Sequence, residues 1–113
     1  MLMLPVLMAA SMPAMASAAS VHPANMDEGP CTSGTTTWVD AGGVCFGFQG
    51  YKYPNLTDVT FFCTGNNYVD VQWEQNGVIS PLVEYDPGTS FNPGGVTLYY
   101  IKIVTWKGSD ACY

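Results

Sequence analysis

The sequence has no arginine, a single histidine and only three lysines in its 113 residues. Without arginine there is no guanidinium fork for bidentate phosphate recognition. Three lysines against nine Asp and Glu leave a net charge of −6. Such a chain cannot neutralise a phosphate track, which excludes nucleic-acid binding. It also excludes attachment to anionic lipid through a basic patch. Charged residues are 11% of the chain, against about a quarter in an average domain. The one histidine, His22, lies ahead of the region that reads as folded. That removes the usual general base and the commonest zinc ligand from the fold. No C-x-x-C pair occurs either, so no metal site and no cofactor is expected.

What is present begins with an apolar stretch over residues 2–10, followed by Pro13 and the A-x-A pattern Ala16-Ser17-Ala18. This reads as a secretory signal peptide over residues 1–18, too short to span a bilayer. No other segment approaches the ~18 apolar residues of a membrane span, so no span is expected in the mature chain. The expected location is outside the cell. Residues 19–30 are small and polar with Pro23, Gly29 and Pro30, and read as a flexible N-terminal arm. The folded domain is then expected over residues 31–113.

That domain holds four cysteines, Cys31, Cys45, Cys63 and Cys112. An even count in a short exported chain reads as two disulfides. Of the three connectivities, Cys31–Cys45 with Cys63–Cys112 is favoured. The first closes a short hairpin-like loop. The second closes a long one, which restricts the unfolded chain most, and it pins an end that would otherwise fray.

Between the cysteines, β-rich runs alternate with turn signals. Strands are expected over residues 35–39, 44–53, 56–64, 68–75, 78–85 and 96–106. In the fourth run Val69, Val71 and Trp73 point one way and Tyr68, Asp70, Gln72 and Glu74 the other, as in a strand with one buried and one wet face. Asn76-Gly77 follows, the strongest short hairpin signal. Pro81 removes a ladder donor, so the fifth run is an edge strand or carries a bulge. The last run is apolar on both faces, with Leu98 and Val104 on one and Ile101 and Ile103 on the other, the pattern of a central strand. About six strands without helical periodicity argue an all-β antiparallel sandwich or small barrel.

Carboxylates remain for catalysis, but Asp70 and Glu74 on a wet face are explained by solubility, and no enzymatic activity is expected. The positive signal is aromatic. Phe46, Phe48, Phe61, Trp73 and Trp106 read as core. Tyr51, Tyr53 and Tyr68 read as an exposed surface rimmed by Gln49, Asn67 and Gln72. Flat rings beside amide donors suit a sugar or a protein partner.

The order Cys31, Trp38, Cys45, Cys63 and a near-terminal Cys112 resembles the small secreted actinobacterial α-amylase inhibitors of the tendamistat type. Their Trp stands at the same offset from the first cysteine as Trp38, and the Cys45 to Cys63 interval matches. The resemblance implies a six-stranded sandwich that inhibits an extracellular enzyme through its first disulfide loop. Only Trp38 carries over from the inhibitory triplet. Val39 and Asp40 stand where that family has Arg and Tyr, and complete the candidate contact Trp38, Val39, Asp40. The segment from Cys63 to Cys112 is longer than in that family. The expected function is therefore a monomeric inhibitor or interaction protein acting on an extracellular enzyme. The alternatives are a carbohydrate-binding module using its tyrosines, and a structural cell-surface protein.

Overall fold

The computed structural model describes residues 26–112. The signal-peptide assignment, residues 19–25 and Tyr113 lie outside them. The fold is all-β, and among the described residues eleven strands form two curled antiparallel sheets that pack as a sandwich. The five-stranded sheet contains β1 (Asp27–Pro30), β2 (Val39–Ala41), β3 (Val44–Gly47), β6 (Phe62–Cys63) and β10 (Ser90–Phe91), in the order β1-β3-β2-β6-β10. The six-stranded sheet contains β4 (Gly50–Lys52), β5 (Leu56–Val59), β7 (Asn67–Gln75), β8 (Val78–Ile79), β9 (Val83–Tyr85) and β11 (Val96–Trp106). Its order is β4-β11-β7-β8, with β5 also on β11 and β9 also on β7. A 3-10 turn, Ser33–Thr35, precedes β2.

Two expected strands are found nearly whole, β7 and β11, and they form the centre of their sheet. The Asn76-Gly77 turn joins β7 to β8, and both residues have positive φ, 55° and 80°, as a type I′ turn demands. The run containing Pro81 is an edge, broken between β8 and β9.

Two of the other runs divide because the chain changes sheet within them. The expected strand 44–53 becomes β3 and β4 in different sheets, and Phe48 at the corner has φ 70°. The run 56–64 becomes β5 and β6, again in different sheets. The expected strand 35–39 is a correction. Most of it is the 3-10 turn and its exit, and the strand starts only at Val39.

The arm over residues 19–30 is also corrected where it is described. Asp27–Pro30 pairs with β3, Gly29 opposite Cys45, and Met26 is buried in the core. A sequence that is polar overall can still donate an edge strand, because the ladder uses backbone groups.

The core lies between the sheets. Val39, Phe46 and Phe62 from one sheet meet Val69, Val71, Leu98, Ile101 and Ile103 from the other. Leu98 shares this buried side with Ile101 and Ile103, against the simple alternation, because the register shifts between Leu98 and Tyr100. An extra residue in one strand inverts the parity of all that follow. Three aromatics expected in the core are exposed: Phe48, Phe61 and Trp106. Phe48 occupies the corner, Phe61 the crossing between sheets, and Trp106 lies beyond the second register shift, between Ile103 and Thr105.

Both disulfides pair as favoured, Cys31–Cys45 and Cys63–Cys112. The first ties the end of β1 to β3, and the second ties β6 to the C-terminal segment. Two such bonds accord with an oxidising, extracytoplasmic environment.

Candidate functional site

An open cleft of about 210 Å³ lies at one end of the sandwich, lined by Thr37, Trp38, Phe48, Asn66, Asn67 and Trp106. Every lining group is aromatic, amide or hydroxyl. No charged side chain lines it.

Trp38 is delivered by the 3-10 turn. Thr32 and Thr35 cap that turn reciprocally, the Thr35 hydroxyl accepting from Thr32 N at 2.8 Å and the Thr32 hydroxyl from Gly34 N at 3.2 Å. Trp38 N then donates to the Thr35 carbonyl at 3.0 Å. The half-buried indole lies across Gly47, where a Cβ would collide with its Cδ2, Cε2 and Cε3. Glycine is needed there because the ring takes the space of a side chain. Phe48 follows directly and meets the indole edge-on, with centroids 5.6 Å apart at 64°.

Asn66, Asn67 and Trp106 complete the lining. Asn67 is buried, and its amide donates to the carbonyls of Thr37 at 3.0 Å and Thr64 at 2.9 Å. Gly65, at φ 60°, lets the chain pass so close to the Thr37 carbonyl that no side chain would fit. Asn66 donates from its side-chain amide to Gly108 O at 3.1 Å, and its main-chain carbonyl accepts from Lys107 N at 2.8 Å. These bonds hold the segment after β11, and Trp106, 49% exposed, lines the cleft together with Phe48, 52% exposed.

The sequence-predicted residues divide. Trp38 is in the cleft, packed rather than protruding. Val39 and Asp40 are corrected. They are 0% and 2% exposed and cannot touch a partner. Val39 is part of the core. Asp40 accepts from Gly43 N at 2.8 Å and shapes the hairpin between β2 and β3. Asp40 also lies close to Cys31 and Cys45, but those sulfurs are joined to each other and present no thiolate.

Tyr51 and Tyr53 do share the outer face of the six-stranded sheet, but their rings stand at 87° to each other. They cluster with Tyr99 and Tyr100 rather than with Tyr68. Tyr68 is farther along β7, opposite Thr105, and lines a separate hollow with Asp86, Lys107 and Asp110. Glu74 accepts from Gly77 N at 2.7 Å and so serves the hairpin turn.

Phe48, Asn66 and Trp106 were missed as site residues because strand alternation assigned the two rings to the core. The one visible signal was the polar Lys107-Gly108-Ser109 directly after Trp106.

The geometry defines a small all-β domain, stapled by two disulfides, with an uncharged aromatic cleft at its end. Comparison with protein-family models, curated proteins and solved structures finds no match to the chain.

Proposed function

We propose that this chain is a secreted, non-catalytic binding module that holds a neutral sugar residue in the Trp38–Phe48–Trp106 cleft. The observation that carries this reading is an open cleft lined by three aromatic residues, Trp38, Phe48 and Trp106, with no charged side chain in its lining. A pyranose has an apolar C–H face and a hydroxyl rim. Aromatic rings take the face, and the Thr37 hydroxyl and Asn66 side chain take the rim, while the buried Asn67 amide is committed to the Thr37 and Thr64 carbonyls. The net charge of −6 disfavours anionic polysaccharides. All four cysteines are in disulfides, so no thiolate nucleophile supports turnover.

The test is titration calorimetry or tryptophan fluorescence against a panel of neutral oligosaccharides. Trp106→Ala should weaken binding at least about tenfold, or ~1.4 kcal/mol, while the melting temperature stays close to wild type, because the ring is half exposed. Saturable binding that is unchanged in Trp106→Ala, or no binding across the panel, removes the cleft reading.

A second reading has its own observation. The turn Thr32 to Gly34 is exposed on a rigid loop between Cys31 and Cys45. Cys112 N braces that loop by donating to Thr36 O at 2.7 Å. Such pre-organisation lowers the entropy lost on docking. It favours an inhibitor or interaction protein acting on an extracellular enzyme, for example a glycoside hydrolase such as α-amylase. Gly34 has space for a side chain. Gly34→Glu is therefore expected to abolish inhibition of a panel of secreted glycoside hydrolases and leave sugar binding intact. Inhibition that survives Gly34→Glu argues against the loop as the contact.

A further inference from the structure

The outer face of the six-stranded sheet carries four tyrosines that neither reading uses. β4 runs antiparallel to β11, with Lys52 opposite Ile101 and Tyr51 opposite Lys102. One more step in that register sets Tyr53 opposite Tyr100. Their ring centroids are 4.9 Å apart, the shortest aromatic separation among the described residues. Tyr53 also meets Tyr99 at 5.5 Å and Tyr51 at 6.0 Å, so it is the hub. It is 55% exposed. Tyr99 and Tyr100 are consecutive, yet both reach Tyr53, because the strand register shifts between Leu98 and Tyr100.

Cross-strand ring pairing alone does not require phenols, since phenylalanine would pack as well. The four hydroxyls make no hydrogen bond within the described residues, so internal bonding does not account for them either. What adjacent phenols can do, and phenylalanines cannot, is couple after one-electron oxidation.

We infer that Tyr53 and Tyr100 form an oxidative cross-linking site, joined as intramolecular dityrosine by hydrogen peroxide and a haem peroxidase. Each phenol loses one electron and one proton and becomes a phenoxyl radical. The two radicals pair, forming a C–C bond between ring carbons ortho to the oxygens. Each of those carbons passes its hydrogen to its own oxygen as a proton, which restores both phenols. Two hydrogens leave the protein in all. One hydrogen peroxide takes up the two electrons and two protons, its O–O bond breaks, and two waters form. The peroxidase returns to its resting state.

The exposed Tyr53 is the ring an external oxidant reaches first. Tyr100 is held protonated to higher pH than usual by burial, and secondarily by Tyr53, Asp70 and Tyr51. Coupling within one chain gains from fixed proximity, while the net charge of −6 opposes close approach of two copies. The bond would staple the edge strand β4 to the central β11.

The experiment treats the disulfide-intact protein with dilute hydrogen peroxide and a haem peroxidase. Dityrosine fluorescence, intact mass and peptide mapping are then read on the monomer fraction. The expected result is a monomer lighter by two hydrogens, with its link mapped to Tyr53 and Tyr100. Tyr53→Phe and Tyr100→Phe should each lower monomer dityrosine by at least about fivefold, and Tyr68→Phe should not. Thermal melts of the variants confirm that they are folded. The inference is overturned if dityrosine persists in folded Tyr53→Phe, if it occurs only in covalent dimers, or if folded wild-type protein forms none.

Discussion

Phe62→Ala should lower the unfolding free energy by about 3–5 kcal/mol, measured by urea denaturation with both disulfides intact. Phe62 is fully buried in β6, at the seam between the sheets. Its ring meets Trp73 at 5.2 Å, Tyr85 at 5.7 Å and Phe91 at 5.8 Å. Trp73 and Tyr85 belong to the six-stranded sheet and Phe91 to the five-stranded one. Trp73 Nε1 also donates to the Tyr85 hydroxyl at 3.2 Å, which holds those two rings in place. Removing the central ring leaves a cavity whose walls are pinned, so little collapse can offset the loss. The neighbouring Phe61→Ala is the internal control. Its ring is partly exposed at the crossing between the sheets, and about 1 kcal/mol is expected. Equal costs at the two positions would contradict the sheet crossing described here.

Replacing Cys63 and Cys112 together by Ser should cost about 4 kcal/mol, against about 3 kcal/mol for Cys31 and Cys45, by the loop-entropy relation. The sequence separations are 49 and 14 residues. Domains of this size have only about 5–15 kcal/mol in total, so the first double variant should be close to its unfolding threshold. Denaturant midpoints of the two variants check the order. The effect should extend to the cleft. Releasing Cys112 removes an anchor from the segment whose Gly108 carbonyl accepts from Asn66, and that segment positions Trp106. A ligand of the cleft should therefore bind more weakly in the Cys63/Cys112 variant than in the Cys31/Cys45 variant, at a temperature where both are folded.

The contrast between Phe61 and Phe62 shows where sequence reading reaches its end. Both are apolar and adjacent in a β-rich run, and alternation assigned Phe61 to the core. The same error moved Phe48 and Trp106 inward. It hid the cleft, and Trp38, singled out for its position in the first disulfide loop, packs over Gly47 rather than protruding. Asp40 failed in the opposite direction. A charged residue beside a Gly-Gly turn reads as exposed, but its carboxylate accepts a turn N–H in a buried hairpin. The tyrosines were placed correctly on an outer face at Tyr51 and Tyr53. The partners of those rings were Tyr99 and Tyr100, because pairing β4 on β11 is a long-range contact.

Legible in the sequence were the all-β class, a preference for the observed disulfide pairing, the Asn76-Gly77 hairpin, the edge character of the run at Pro81 and the central strand at 96–106. Each rests on something local: a turn residue's φ, a missing N–H, an unbroken apolar run or the length of a loop. Long-range pairing sets which sheet each shorter strand joins, brings residues 26–30 into the fold, and selects the aromatic rings that face solvent. Side-chain direction in a strand has a period of two, so one register shift or one positive-φ residue inverts every position beyond it. The shifts at Leu98/Tyr100 and Ile103/Thr105 and the corner at Phe48 accompany pairing between strands far apart in the chain, and no local pattern records them.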